Sequence, residues 1–236
     1  MAARCSSEAT HRPRSCPRFS RSPTTRSGTS RPFPSSAATP LSSRCTPPFA
    51  RTLEEFVAHV RANPGRLNYG SAGTGTLTQI AAALWVHRLG LDIVHVPFRG
   101  GAQSVTEALA GRVQMLTGVT GGMLPAAANG GSRILAVSGA ERLPQIPDVP
   151  TLAESLPGFV VINWNGVVVH AGTPRPILNR LFEAVMAVMR EPAVRERLAT
   201  LGVTPVGNTP EEMAAHMQQE APLFRAAARI PGMRDT

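Results

Sequence analysis

The run Leu67-Asn68-Tyr69-Gly70-Ser71-Ala72-Gly73-Thr74-Gly75-Thr76 is the stretch of this sequence best equipped for chemistry. A short apolar strand enters a loop of small residues, and an alanine-rich helix leaves it. The first N–H groups of such a helix have no intrahelical acceptor and carry partial positive charge. Glycines let a ligand oxygen come within hydrogen-bonding distance of the main chain. The loop is therefore shaped for an anion, a carboxylate or a phosphate. Taken alone, the same pattern also describes a purely structural strand-to-helix connection.

A second loop, Phe98-Arg99-Gly100-Gly101, leads into another helix and brings one cation with it. Arg99 can pair with a ligand's second carboxylate or stand solvated at a strand end. His95 lies in an apolar strand and reads as a core or edge histidine rather than a ligand group. Trp164 can line a cleft or pack. The spacing Gly73-x-Gly75-x-x-Thr78, with Asp92 further on, is a dinucleotide fingerprint lacking its third glycine, and it is weak.

Other chemistries lack their residues. All 24 basic residues are arginine, so there is no lysine for a Walker loop or a Schiff base. No GxSxG, HExxH or paired-carboxylate arrangement is present, so no catalytic residues are assigned. Cys5, Cys16 and Cys45 match no metal spacing and read as incidental. No metal or cofactor is expected.

The net charge of +9 suggests nucleic acid until it is divided along the chain. Residues 1–50 hold eight arginines against one acid, or +7, whereas residues 51–236 hold sixteen against fourteen, or +2. The basicity belongs to a Ser/Arg/Pro-rich tail, and the nearly neutral remainder gives no reason to expect nucleic acid. That tail has no periodicity and little to bury, so residues 1–50 are expected to be disordered, and they lack the apolar segment of a secretory signal. A targeting or nucleic-acid-binding arm, an inert tail and a mistranslated leader all fit it. No apolar run reaches the roughly 18–20 residues that span a bilayer.

The elements that must position the two loops follow in alternation. Thr52 and Glu55 cap a helix ended by Asn63-Pro64-Gly65, then come a strand at 67–70 and a helix at 76–89. A strand at 93–96, a helix at 102–110 and a strand at 113–117 follow. Beyond the loose residues 118–122 lie a short helix at 124–128 and a strand at 133–137. Strands alternating with helices make βαβ units and a parallel sheet, whose ligands sit beyond the strands' carboxyl ends.

Residues 138–157 carry four prolines and suit a link between lobes. Two short strands are expected to flank Trp164. A helix starting at Thr173-Pro174 should bury Ile177, Leu178, Leu181, Phe182, Val185, Met186 and Met189, with the methionines in the core. A helix at 192–201 and a strand at 203–206 follow. The helix opened by Thr209, Pro210 and Glu212 should break or kink at Pro222.

These residues resemble a known family. The run 52–80, then Val94-His95-Val96-Pro97-Phe98-Arg99-Gly100-Gly101, then 135–154 with Pro147-Asp148-Val149-Pro150, then Trp164-Asn165-Gly166 and Ala171-Gly172-Thr173-Pro174, are similar to the Bug solute receptors of tripartite tricarboxylate transport systems. The resemblance implies a periplasmic, monomeric, non-enzymatic receptor of the two-lobed type II binding-protein class, α/β with mainly parallel sheets. It would deliver a small organic carboxylate to membrane transporter subunits. It also implies a ligand site at Ser71, Ala72, Gly73, Thr74, Gly75 and Thr76, where backbone and hydroxyl donors meet a carboxylate. Arg99, Gly100, Gly101 and Ala102 lie at the neighbouring helix start.

Departures accompany the likeness. Family members begin with a secretion signal and the first strands of one lobe, in whose place stand residues 1–50. The chain is therefore expected to be a truncated or frameshifted member with one incomplete lobe and weak binding. Its expected division is a tail at 1–50, remaining first lobe and hinge at 51–70 and a ligand-cleft lobe at 71–137. An inter-lobe crossing at 138–158 and the rest of the first lobe at 159–236 complete it. A regulator's ligand-sensing domain and, further behind, a nucleotide-dependent enzyme are the alternative readings.

Overall fold

A computed structural model describes residues 30–46, 49–170, 172–231 and 233. Alternating strands and helices build a mixed α/β fold on strand β2 (Asn68–Ser71), which pairs in parallel with β3 (Val94–Pro97) on one side and β4 (Met115–Val119) on the other. The period-2 geometry of these strands sends successive side chains to opposite faces. Tyr69 and Met115 join a core formed with α1 (Leu53–Ala62) and α2 (Leu77–Arg88). Leu116 points to a smaller core with Ala108 of α3 (Gly101–Leu109) and Met123 of α4 (Thr120–Ala128).

Helix α2 is buried from Thr78 to Val86, with no polar face. It is the middle of the larger core, between the sheet and the end of α8 (Pro210–Ala227). Helix α1 starts where its capping residue says it should, Thr52 Oγ1 accepting the Glu55 N–H at 3.2 Å. Thr151 with Glu154 and Thr209 with Glu212 form full capping boxes at α5 (Leu152–Ser155) and α8.

The main correction concerns β1 (Ser30–Cys45), a sixteen-residue strand inside the segment expected to be disordered. Residues 1–29 lie outside the described residues. Residues 30–40 pair with β6 (Ile162–His170) and, in part, β7 (Thr204–Pro205). Residues 41–45 run antiparallel between β4 and β5 (Arg133–Val137). Composition hid this strand because its stability comes from ladder bonds to neighbours and from paired hydroxyls. Ser42 Oγ lies 2.6 Å from Thr120 Oγ1, and Ser43 Oγ lies 3.2 Å from Thr117 Oγ1.

Cys45 is likewise not incidental. It is fully buried in the core, its thiol pushed up by burial and bonded to the Ala50 carbonyl. Cys5 and Cys16 are outside the described residues.

Arg44 is the anomaly of the strand. Its side chain is fully buried, and among the described residues all three guanidinium nitrogens lack a hydrogen-bond partner. Burial pushes it below its ordinary arginine value. Leaving a charge dry and unpaired is among the costliest arrangements in a core.

Four further expectations change. β6 runs unbroken through Trp164. α4 begins at Thr120, so residues 120–122 are helical rather than loose. α8 is not broken at Pro222 but continues to Ala227. In α6 (Arg175–Arg190) only Leu178 is buried, while Ile177, Leu181 and Val188 are exposed and Met186 and Met189 half-buried. Amphipathic spacing marks a face able to be buried; α6 lies against β1 and α7 and leaves Ile177, Leu181 and Val188 outside that contact.

The proline-rich stretch loops out and returns to where it left. The Val137 N–H donates to Pro150, and the Val161 N–H donates to Ser138. On the way Arg142 pairs with Glu154, and the Gln145 side-chain amide donates to the Ala199 carbonyl.

Arg44→Met keeps the volume and removes the stranded charge. It should raise stability by about 2 kcal/mol, of the order of the 1–4 kcal/mol gained when buried ion pairs yield to apolar residues. For a chain of this size that is about 4–8 °C in the melting midpoint, at about 2–4 °C per kcal/mol. Scanning calorimetry checks this, and a lowered midpoint would show that Arg44 is needed.

Candidate functional site

Parallel pairing places the two glycine loops side by side. In the register of β2 and β3, Tyr69 lies opposite His95, Gly70 opposite Val96 and Ser71 opposite Pro97, so both chains turn at one sheet edge. The Phe98 N–H donates to the Ser71 carbonyl at 3.1 Å, joining the loops directly. A Cβ on Gly73 would stand 3.1 Å from the Phe98 carbonyl oxygen. Gly73 (φ 133°) also has a backbone conformation that other residues rarely adopt, so this approach needs glycine.

The first loop is tied down from within. Ser71, fully buried, donates its hydroxyl to the Gly73 carbonyl, and its Oγ accepts the Gly73 N–H, both at 3.2 Å. Thr76 Oγ1 also donates to that carbonyl, at 2.6 Å. The Ala72 N–H donates to Thr78 Oγ1 at 3.1 Å, and the Gly75 N–H to Gln79 Oε1 at 2.6 Å. The expected set is thus brought together, but the hydroxyls of Ser71 and Thr76 and the amides of Ala72, Gly73 and Gly75 already have partners within the loop or the first turn of α2.

The donors that face outward by helix geometry lie one step further on. Helix α2 has no side-chain cap at Thr76, and α3 has none at Gly100. Their first turns, Leu77–Gln79 and Gly101–Gln103, carry N–H groups without intrahelical acceptors. Gly101, Ala102 and Gln103 are exposed, and Leu77 and Thr74 are half-buried. Arg99 is exposed beside them, and its own N–H donates to Gln103 Oε1 at 2.9 Å. Neither loop contains an acid, so helix ends and guanidinium make the rim positive.

A third helix start, that of α4, emerges from the same sheet edge, but a Cβ on Gly121 would overlap the Leu201 carbonyl at the end of α7 (Pro192–Thr200). That start is covered by protein.

Two side chains that sequence reasoning did not assign to the site support it from below. Gln79 Nε2 lies 3.1 Å from His95 Nδ1, and His95 Nε2 lies 2.8 Å from Ser71 Oγ. The Tyr69 ring packs against the His95 ring, centroids 4.8 Å apart. Burial pushes the His95 imidazole below its ordinary value and the Tyr69 phenol up to about 12. Both are therefore neutral at pH 7. A threonine and a glutamine opening an otherwise apolar helix, opposite a histidine in an apolar strand, were the available signal.

Trp164 is half-buried, its indole N–H donating to Glu220 of α8 at 2.7 Å. Two clefts, of about 400 Å³ and 450 Å³, lie along α2 against the chain's C-terminal segment and α8, and no residue of the glycine loops lines either. Among the described residues no acidic, histidine or cysteine cluster could hold a metal, and no helix is long and apolar enough to cross a membrane.

Solved structures that superpose on this chain define its class. Rpa4515 of R. palustris, solved with adipate, superposes with a TM-score of 0.80 at 26% identity, over 87% of this chain and 69% of that one. MatC from Rhodopseudomonas palustris, solved with bound malate, gives 0.76 at 29% identity, over 85% and 70%. The periplasmic binding protein BugD gives 0.77 at 25% identity, over 85% and 68%.

The family model described as tripartite tricarboxylate transporter family receptor matches residues 35–227, and this chain belongs to that family. The match takes in most of β1. The protein of the tcbD–tcbE intergenic region of Pseudomonas sp. is 37% identical over 172 residues, 72% of this chain and 51% of its own. BugT of Bordetella pertussis is 27% identical over 184 residues, 78% of this chain and 56% of its own. The chain thus spans about half the length of these curated relatives.

Gly73→Ala should destabilise the fold by about 1–3 kcal/mol, the cost of forcing a side chain into that conformation against the Phe98 carbonyl. Gly101→Ala, with nothing within 4 Å of its new Cβ, should change stability by under about 1 kcal/mol. Chemical denaturation of both variants reads the contrast. Equal losses would mean that the close approach of the two loops is not what Gly73 secures.

Proposed function

We infer that this chain is a receptor for a small dicarboxylate, held at the rim between the starts of α2 and α3. The observation that carries this reading is the pair of uncapped helix starts on one sheet edge, with exposed Arg99 and no acid between them. One carboxylate meets the exposed first-turn amides of Gly101–Gln103, with Thr74 and Leu77 across the rim, and Arg99 takes the second. Charge-assisted hydrogen bonds of about 1.5–3 kcal/mol each, less the entropy of association, put the affinity in the micromolar range. The chemistry is binding alone, with no bond made or broken.

Relatives solved with adipate and with malate support a dicarboxylate rather than a phosphate. Family membership supports a periplasmic location and delivery of the ligand to tripartite transporter subunits, and the receptor is read as a monomer. Ligand choice beyond the first carboxylate depends on the opposite wall of the cleft.

Isothermal titration of the full chain with malate, adipate and their neutral diamides tests the reading. Either acid should bind with a dissociation constant of micromolar order and its diamide at least about a hundredfold more weakly, the loss of two or more charge-assisted bonds. Equal binding of acid and diamide, or no heat with either acid at millimolar concentration, overturns it.

A further inference from the structure

We propose that Gln79 and His95 are positioning residues for the carboxylate rim: a one-way chain of hydrogen bonds holds the first glycine loop only while the imidazole is neutral, so acid unlocks it. This rests on the receptor reading above.

The direction of every bond follows from one donor. A main-chain N–H can only donate, so the atom 2.6 Å from the Gly75 nitrogen is the carbonyl oxygen of Gln79. The amide nitrogen of Gln79 therefore faces His95 Nδ1, at 3.1 Å, and that group too can only donate. Nδ1 must present its lone pair, which places the ring proton on Nε2. Nε2–H then donates to Ser71 Oγ at 2.8 Å, and the hydroxyl's own hydrogen goes to the Gly73 carbonyl at 3.2 Å. The Gly73 N–H returns to Ser71 Oγ and closes the ring of contacts. Two turns of one loop, at Gly73 and Gly75, are thus fixed through one imidazole on the neighbouring strand.

A second proton has nowhere to go. Protonated Nδ1 would point an N–H at the N–H of Gln79, and turning the amide over to accept it withdraws the oxygen from Gly75. The surroundings supply no compensating charge on the ring. Ser71 and Tyr69 of β2 are neutral, and Gln79 of α2 is neutral. His87 and Asp92 line the same cleft, the Asp92 carboxylate lying beside Gly65, and the C-terminal segment there offers Ile230, Pro231 and Met233. Burial already disfavours the imidazolium. With the folded value below the ordinary 6.5, the neutral lock is fully present above about pH 6.5 and is lost as pH falls through the lower folded value.

Gln79→Glu reverses the logic. A carboxylate accepts both from the Gly75 N–H and from a protonated Nδ1, so this variant favours the imidazolium and keeps the loop closed in acid. Two readouts on the full-length chain test the proposal. In the ligand-free protein, long-range proton–nitrogen NMR of the His95 ring should show the Nε2–H tautomer at pH 7.5. The Gly75 amide resonance should shift as His95 titrates in the unmodified chain and stay in place in Gln79→Glu. With malate as probe, the ratio of dissociation constants at pH 5.5 and 7.5 should be larger in the unmodified chain than in Gln79→Glu, by up to the roughly tenfold that uptake of one proton below pH 6.5 allows. Protonation of malate itself is common to both proteins.

The Nδ1–H tautomer, or equal pH ratios for the two proteins, overturns the proposal. If neither protein binds malate at any pH, the receptor reading fails instead. The tautomer and the Gly75 resonance then still decide whether Gln79 and His95 hold the loop.

Discussion

The parallel alignment of β2 with β3 and β4 is the constraint from which the rest of the site follows. Strands running the same way turn at the same edge, so each following helix starts there with its unbonded N–H groups directed outward. Nothing else would gather main-chain donors from segments about twenty-five residues apart. Close approach then needs glycine: Gly73 brings one turn against the Phe98 carbonyl, and Gly100 turns the chain into α3. Of the three helix starts on this edge, α4 is covered by the end of α7, and those of α2 and α3 carry no side-chain cap.

Within that rim, donors fall into two sets with different work. The hydroxyls of Ser71 and Thr76 and the amides of Ala72, Gly73 and Gly75 are consumed in shaping the loop. The first-turn amides of the helices are what the loop holds in place. A preorganised rim of this kind loses little ordering entropy on binding, because the loop is already fixed from below by buried Gln79 and half-buried His95.

The frame around this edge is less well satisfied. β1 threads between β4 and β5 with Ser42, Ser43, Arg44 and Thr46 buried, and neither the guanidinium of Arg44 nor the hydroxyl of Thr46 finds a partner among the described residues. Helix α6 leaves an apolar stripe in solvent, and β6 exposes Val167 and Val168. The glycine-loop edge belongs to the well-packed part of the molecule, in which α2 is buried along its length.

Much of this was readable in the residues because local signals and tertiary structure agree there. Capping pairs at Thr52, Thr151 and Thr209, the apolar runs of β2 to β5 and the glycine turns each act through neighbours in sequence. β1 was illegible because a central strand of small polar residues is held by the ladders on either side, not by its own apolar content. The stripe of α6 misled because periodicity reports a capacity for burial, whereas burial needs a partner. His95, read as a core or edge histidine, lies on edge strand β3, but its link to Gln79 spans two elements and exists only once β2 and β3 are in register.

Amide chemical shifts of the nitrogen-labelled chain, followed as malate is added at pH 7.5, test the central claim most directly. The account predicts changes concentrated at residues 74–77 and 101–103, with Arg99 affected alongside. Changes centred instead on the clefts along α2 and α8, around Ala83, His87 and Ile230, would contradict it.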